Sequence, residues 1–209
     1  MDYQPLKYIF KGTGKPDATT LLVLHGTGGD ENQFLSLAQD FGHDINILSV
    51  RGNVIENGMP RFFKRRAIGV FDEMDLEFRV NELVDFLKAL AATENFDVNK
   101  IVALGYSNGA NIAGALLILY PDFLSGAILF RPMRPFGCIP DFKIENPKPL
   151  FLSFGRNDTT INREDANTYI KLLKNSGFDV TNHEINTGHN LLKEDVVLSI
   201  EWFKKNFRK

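Results

Sequence analysis

The run Ile101-Val102-Ala103-Leu104-Gly105-Tyr106-Ser107-Asn108-Gly109-Ala110-Asn111-Ile112-Ala113 carries a strand, a corner and a helix in immediate succession. Ile101 to Leu104 read as a buried strand. Gly-x-Ser-x-Gly follows, then small and apolar residues at helical spacing. A strand that turns at once into a helix brings its backbone too close for large side chains on either side of the corner. Gly105 and Gly109 remove that crowding, and Ser107 is left on a strained corner with its hydroxyl pointing out of the fold. The Asn108 N–H falls at the helix N-terminus, where unpaired donors and the helix dipole favour developing negative charge. That setting suits a nucleophilic serine. The plain alternative is an ordinary Gly/Ser turn, but the strand before and the helix after are the contexts that the nucleophile reading demands.

Outward from this corner the chain alternates. Residues 6–10 read as an edge strand, and Leu21-Leu22-Val23-Leu24 as a buried strand entering the loop His25-Gly26-Thr27-Gly28-Gly29. Gln33 to Phe41 carries a helical stripe, Ile45 to Val50 is the next strand, and residues 51–72 read as irregular. An amphipathic helix is expected over about 73–93, the helix after the corner up to Leu119, and a strand at Ala127 to Phe130. Residues 131–148 are rich in proline and read as a loop crossing the surface. Strands at 150–154 and about 178–185, with helices at about 163–176 and 194–207, complete the pattern. Strands alternating with helices imply crossover connections, hence a mostly parallel central sheet covered on both faces. The expectation is one α/β domain over residues 1–209, too short for a separate lid. In such sheets ligands bind beyond the carboxyl ends of the strands, and every candidate residue below falls there.

A serine hydroxyl needs a general base, usually histidine, oriented by a carboxylate. Of four histidines, His43 precedes a strand at the wrong end of the sheet. His183 alternates within a strand and reads as a surface residue, while His25 shapes its own turn. His189 stands in Asn186-Thr187-Gly188-His189-Asn190, a loop after the final strand that can carry imidazole over the sheet top. Asp158, after the strand 150–154, lies on the same edge; Asp141 and Asp165 are more simply solvated. The order Ser107, Asp158, His189 is the one this fold uses. A tetrahedral intermediate also needs two donors for its oxyanion. One is the Asn108 N–H, the other most plausibly the Thr27 N–H. A phosphate-binding role for the Thr27 loop is disfavoured, because Gly26, Gly28 and Gly29 are too closely spaced and no Gly-Lys-Ser/Thr ending follows.

Composition narrows the partners. A net charge of -2 gives no basic footprint for nucleic acid or anionic membrane. One cysteine, Cys138, excludes an internal disulfide framework and a CxxC metal site. No apolar run approaches the ~18 residues that span a bilayer, and Met1-Asp2-Tyr3-Gln4-Pro5 lacks signal-peptide character. The expectation is a cytoplasmic protein.

The motifs Leu24-His25-Gly26-Thr27-Gly28-Gly29-Asp30, Gly105-Tyr106-Ser107-Asn108-Gly109, Asp158 and Gly188-His189 together resemble the α/β-hydrolase superfamily. More narrowly, the chain is similar to small bacterial carboxylesterases of the phospholipase/carboxylesterase branch, relatives of acyl-protein thioesterases. Arg51-Gly52-Asn53-Val54 and Glu56-Asn57-Gly58-Met59-Pro60-Arg61-Phe62-Phe63 are similar to a segment of quinone-stress-inducible hydrolases in that branch. The resemblance implies Ser107, Asp158 and His189 as a triad, with Thr27 and Asn108 as backbone donors. Thioesterases of the eukaryotic type typically have Gln where this chain has Asn108, which weakens any transfer of a long-acyl protein substrate.

The implied chemistry is hydrolysis of small or short-chain carboxylic esters through an acyl-enzyme, without metal or organic cofactor. Residues 51–72 and 131–142 are the expected walls. There Phe62, Phe63, Phe71 and Met133 could offer apolar surface, and Arg61, Arg65 or Arg134 could meet an acidic group. Core packing is the competing role for those aromatics, and an exposed apolar surface there could also form a homodimer. Rival readings are a thioesterase or lysophospholipase-like hydrolase, a lactone hydrolase of the dienelactone type, and a non-catalytic binding protein on the same scaffold. The dienelactone reaction usually employs cysteine, where this chain has Ser107.

Overall fold

The computed structural model describes residues 3–67, 69–139 and 141–208. Met1 and Asp2 of the N-terminal segment, and one residue of each expected wall (68 and 140), lie outside the described residues. The elements in order are β1 (Tyr8–Lys11), β2 (Thr20–Leu24), α1 (Leu35–Gln39), β3 (Asn46–Val50), β4 (Val54–Glu56), β5 (Met59–Arg61), β6 (Arg65–Ala67), β7 (Val70–Phe71) and α2 (Glu73–Glu94). They continue with β8 (Ile101–Tyr106), α3 (Asn108–Leu119), β9 (Gly126–Phe130), β10 (Pro149–Gly155), α4 (Arg163–Asn175), β11 (Asp179–Ile185) and α5 (Lys193–Phe207).

Seven of the described strands form one sheet, ordered β1-β3-β2-β8-β9-β10-β11. Only β1 pairs antiparallel, against β3, and it is the expected edge strand. The remaining neighbours are parallel, as crossover helices require. Register brings the carboxyl ends level: Leu24 pairs with Gly105, Tyr106 with Phe130, and Gly155 with Ile185. Loops that leave these ends therefore converge above the middle of the sheet.

Strand alternation sorts the apolar runs onto two faces. Leu22, Leu24, Ala103, Leu129, Leu150 and Leu152 join one core with residues of α2 and α3. Leu21, Val23, Val102, Leu104, Ile128, Phe130 and Phe151 join the other, with Phe41, Trp202 and Phe203. Because both faces are covered, the central strands read as unbroken apolar runs. Each fully buried Leu or Phe contributes roughly 1.5–3 kcal/mol of transfer free energy. None of the described helices is long and apolar enough to cross a membrane.

Two expectations change. The helix expected over 33–41 is confined to Leu35–Gln39, because Gln33 is used elsewhere: its Oε1 accepts the Gly26 N–H at 3.0 Å. The segment 51–72 is not irregular but folds as two hairpins, β4–β5 and β6–β7. Asn57 and Gly58 turn the first with φ of 52° and 75°, the left-handed pair that a two-residue hairpin turn needs. Residues 131–148 hold no helix or strand among those described, as expected.

Candidate active site

The corner after β8 forms as its residues dictate. Ser107 has φ 51° and ψ −110°, strained for any residue with a Cβ. Its N–H donates to the Phe130 carbonyl at 2.9 Å and its carbonyl accepts the Asn111 N–H at 2.9 Å, so both neighbours hold it there. A Cβ on Gly109 would stand 2.1 Å from the Leu24 carbonyl oxygen, and one on Gly105 2.5 Å from the Gly109 carbonyl carbon. No side chain fits at either place.

Above this corner the structure brings Ser107, Asp158 and His189 together. His189 Nδ1 lies 2.7 Å from Asp158 Oδ2, and Nε2 lies 2.9 Å from Ser107 Oγ. An ionised carboxylate only accepts, so Nδ1 carries the proton and Nε2 faces the serine hydroxyl with its lone pair. Asp158 is 2% exposed and His189 27%, so the carboxylate is enclosed while the imidazole edge meets solvent. The Thr160 N–H donates to Asp158 Oδ1 at 2.8 Å, which fixes the carboxylate plane.

The loop bearing His189 is fastened by groups that sequence reasoning missed. The Tyr106 hydroxyl donates to the His189 carbonyl at 3.1 Å, and burial pushes its pKa up, which keeps the proton in place. Arg131 Nη2 donates to the Asn190 carbonyl at 2.8 Å. Arg131 and Asp195 are both fully buried and pair through two bonds, at 2.8 and 2.9 Å. Asp195 Oδ2 also accepts the Leu192 N–H at 2.9 Å. No local pattern announces this pair: Asp195 reads as an acidic first turn of α5, and Arg131 as an ordinary loop start.

In the loop after β2, three of four successive N–H groups are committed. Gly26 donates to Gln33 Oε1, Gly28 to the Pro60 carbonyl at 2.9 Å, and Gly29 to the Gly26 carbonyl at 3.1 Å. The Thr27 N–H has no acceptor among the described residues, nor does that of Asn108 at the start of α3. His25 is 1% exposed; the Gly52 N–H donates to its Nε2 at 3.0 Å, and its Nδ1 lies 2.6 Å from the Gly26 carbonyl. Burial pushes its pKa down, so the ring is neutral and Nδ1–H is the donor to Gly26. His43 lies in the loop before β3, at the opposite end of the sheet, and His183 stacks on Phe151 in the edge strand β11.

The first turn of α3 holds both walls. Asn108 Oδ1 accepts the Phe62 N–H at 2.7 Å, and Asn111 Oδ1 accepts the Met133 N–H at 2.7 Å. Two wall expectations are corrected. Phe62 and Phe63 are core residues, 3% and 0% exposed, with Phe62 against His25 and Phe63 against Phe71, so neither ring faces a substrate. Arg61 and Arg65 are not open to an acidic substrate, because both pair with Glu56 and Arg61 is 3% exposed. Met133 and Arg134 do line a cavity of about 360 Å³, together with Phe71, Phe136, Thr160 and Ile161. It lies between the 131–139 loop, the start of α2 and the segment after Asp158.

With this geometry in place, similarity to known proteins is informative. Residues 63–194 match the model of the dienelactone hydrolase family. MhqD of Bacillus subtilis (strain 168), named as a hydrolase, is 43% identical over 203 residues, which cover 96% of this chain and 98% of MhqD. The crystal structure of the Bacillus cereus carboxylesterase superposes with a TM-score of 0.93 at 44% identity, over 97% of this chain and 95% of that one. The structure of YahD with malic acid superposes with a TM-score of 0.90 at 32% identity, over 96% and 99% of the two chains.

Proposed function

The chain belongs to the dienelactone hydrolase family and is a carboxylesterase-type hydrolase; we propose that it cleaves small or short-chain carboxylic esters, with Ser107 as nucleophile. The observation that carries this reading is the continuous hydrogen-bonded line from Asp158 through His189 to Ser107 Oγ, with steps of 2.7 and 2.9 Å. Serine at the corner, rather than cysteine, supports ester over dienelactone chemistry.

In the proposed reaction His189 Nε2 takes the Ser107 proton as Oγ attacks the ester carbonyl. The carbonyl oxygen becomes an oxyanion and accepts from the Thr27 and Asn108 N–H groups. Collapse expels the alcohol, which takes the proton from His189, and leaves an acyl-serine. Water then attacks while His189 takes its proton, and a second collapse releases the acid and restores the Ser107 hydroxyl. Asp158 holds the imidazole in the Nδ1–H tautomer and offsets its charge when it is protonated.

The cavity of about 360 Å³ beside Met133 and Arg134 reaches Thr160, whose N–H holds Asp158. Ser107, His189, Thr27 and Asn108 do not line it, so the short-chain preference rests on the resemblance to small carboxylesterases. Hydrolysis of p-nitrophenyl esters from acetate to palmitate, with Ser107→Ala as control, tests the proposal. A maximum at short acyl chains that vanishes in the variant is the expected outcome. A maximum at palmitate would move the reading to lipid or acyl-protein substrates, and no turnover of any ester would favour a binding protein.

A further inference from the structure

The β4–β5 hairpin is tied to both residues whose N–H groups face the proposed oxyanion. Arg61 Nη1 donates to Thr27 Oγ1 at 2.6 Å, and the next residue, Phe62, donates its N–H to Asn108 Oδ1 at 2.7 Å. The Gly28 bond to the Pro60 carbonyl holds the glycine loop to the same strand. Arg61 is 3% exposed, and Glu56, 3.1 Å from its Nε, also pairs with Arg65 at 2.8 Å. One carboxylate between two guanidiniums leaves positive charge uncancelled next to Thr27. A buried charge without full compensation is costly, so a purely structural role would be served better by a neutral side chain.

We propose that Arg61 is a positioning residue for the reaction: it fixes the Thr27 backbone for oxyanion binding and sets positive potential behind that donor. The inference rests on the serine-hydrolase reading. Arg61 reaches the oxyanion through Thr27 and does not itself touch substrate. Its charge costs no rearrangement when the intermediate forms, because Glu56 and the Phe63 carbonyl, which accepts from Nε at 3.2 Å, already hold the guanidinium.

The test is steady-state hydrolysis of p-nitrophenyl acetate by Arg61→Gln, Thr27→Val and the double variant, with inhibition by phenylboronic acid, whose serine adduct is tetrahedral and charged. Arg61→Gln should lower kcat about tenfold or more with KM within about twofold, less than the ~10²–10³-fold loss of a donor itself. Boronate inhibition should weaken in parallel. Thr27→Val breaks the same contact from its other end, so the double variant should lose no more than the worse single one. Unchanged kcat in the folded variants, a rise in KM alone, or additive losses would overturn the inference. If Arg61→Gln does not fold, the kcat of Thr27→Val decides. A wild-type enzyme inert towards every ester would instead overturn the hydrolase reading, and this inference with it.

Discussion

Two buried arginines flank Ser107 and are provided with partners in opposite ways. Arg131 meets Asp195 through two bonds, both side chains fully buried, so its charge is cancelled, and its Nη1 and Nη2 also donate to Ser153 Oγ and the Asn190 carbonyl. Arg61 shares the quarter-exposed Glu56 with Arg65, so its charge is only part-cancelled. The first brackets the loop that carries the proposed base. The second stands behind the loop that carries a proposed oxyanion donor. Burial alone does not tell a scaffolding charge from a working one; the ratio of partners does.

Both arginines serve one centre only if Ser107 is that centre. Ser107→Ala should therefore lower ester turnover by about 10⁴-fold or more while the thermal midpoint holds. A surviving rate would place both arginines around the wrong group. Next in size is the stability contrast. Asp195→Asn leaves the Arg131 charge buried without its counter-ion and should cost about 3–5 kcal/mol in urea unfolding. Glu56→Gln also strips a carboxylate from a buried guanidinium, but one whose charge was only part-cancelled and whose partner is a quarter exposed, so it should cost less, about 1–3 kcal/mol. Equal losses would erase the distinction.

A smaller effect sharpens the role of the His189 loop. Tyr106→Phe removes one bond to the His189 carbonyl and should cost about 0.5–1.5 kcal/mol in urea unfolding, with a fall in kcat at constant KM as the loop loosens. The smallest effect concerns acid. Burial lowers the His25 pKa in the folded state, so protons bind preferentially to the unfolded chain. The stability that neutral His25 provides is complete above its unfolded pKa, near 6.5, and is lost as pH falls below it towards the folded value. The Gly52 amide, whose acceptor is His25 Nε2, should lose hydrogen-exchange protection between pH 7.5 and 5.5. Unchanged protection would remove His25 as an anchor of the hairpin wall.

Much of this arrangement is legible in the sequence because its signals are local. The runs Leu21–Leu24 and Ile101–Leu104 are apolar on both strand faces, and the corner glycines are demanded by contacts within the corner and with the adjacent strand end. The spacing and order of Ser107, Asp158 and His189 follow the sheet topology. The hairpins are less visible: β4 to β7 have two or three residues each and are rich in charge. Asn57-Gly58 is nevertheless a hairpin turn signal between Val54-Ile55-Glu56 and Met59-Pro60-Arg61, and it identifies the first of them. Arg131 and Asp195 have no such signal, because each meets its partner only once the sheet and α5 have been brought together. Phe62 and Phe63 fail as wall residues for a related reason. Their hydrophobicity is plain in the sequence, whereas the side of the hairpin that packs inward is settled by His25 and Phe71.

Asn108 and Asn111, successive along one face of the first turn of α3, accept from Phe62 and Met133. The two walls are thus rooted in the helix that starts at Ser107, the proposed nucleophile, and any shift of that helix carries both with it. Insertions or exchanges at the tips of the walls would alter what is admitted while the roots, and with them the alignment of the reacting atoms, stay put. Divergence towards new substrates is therefore cheapest at residues such as Ile55, Met59 and Val70, which already lie exposed.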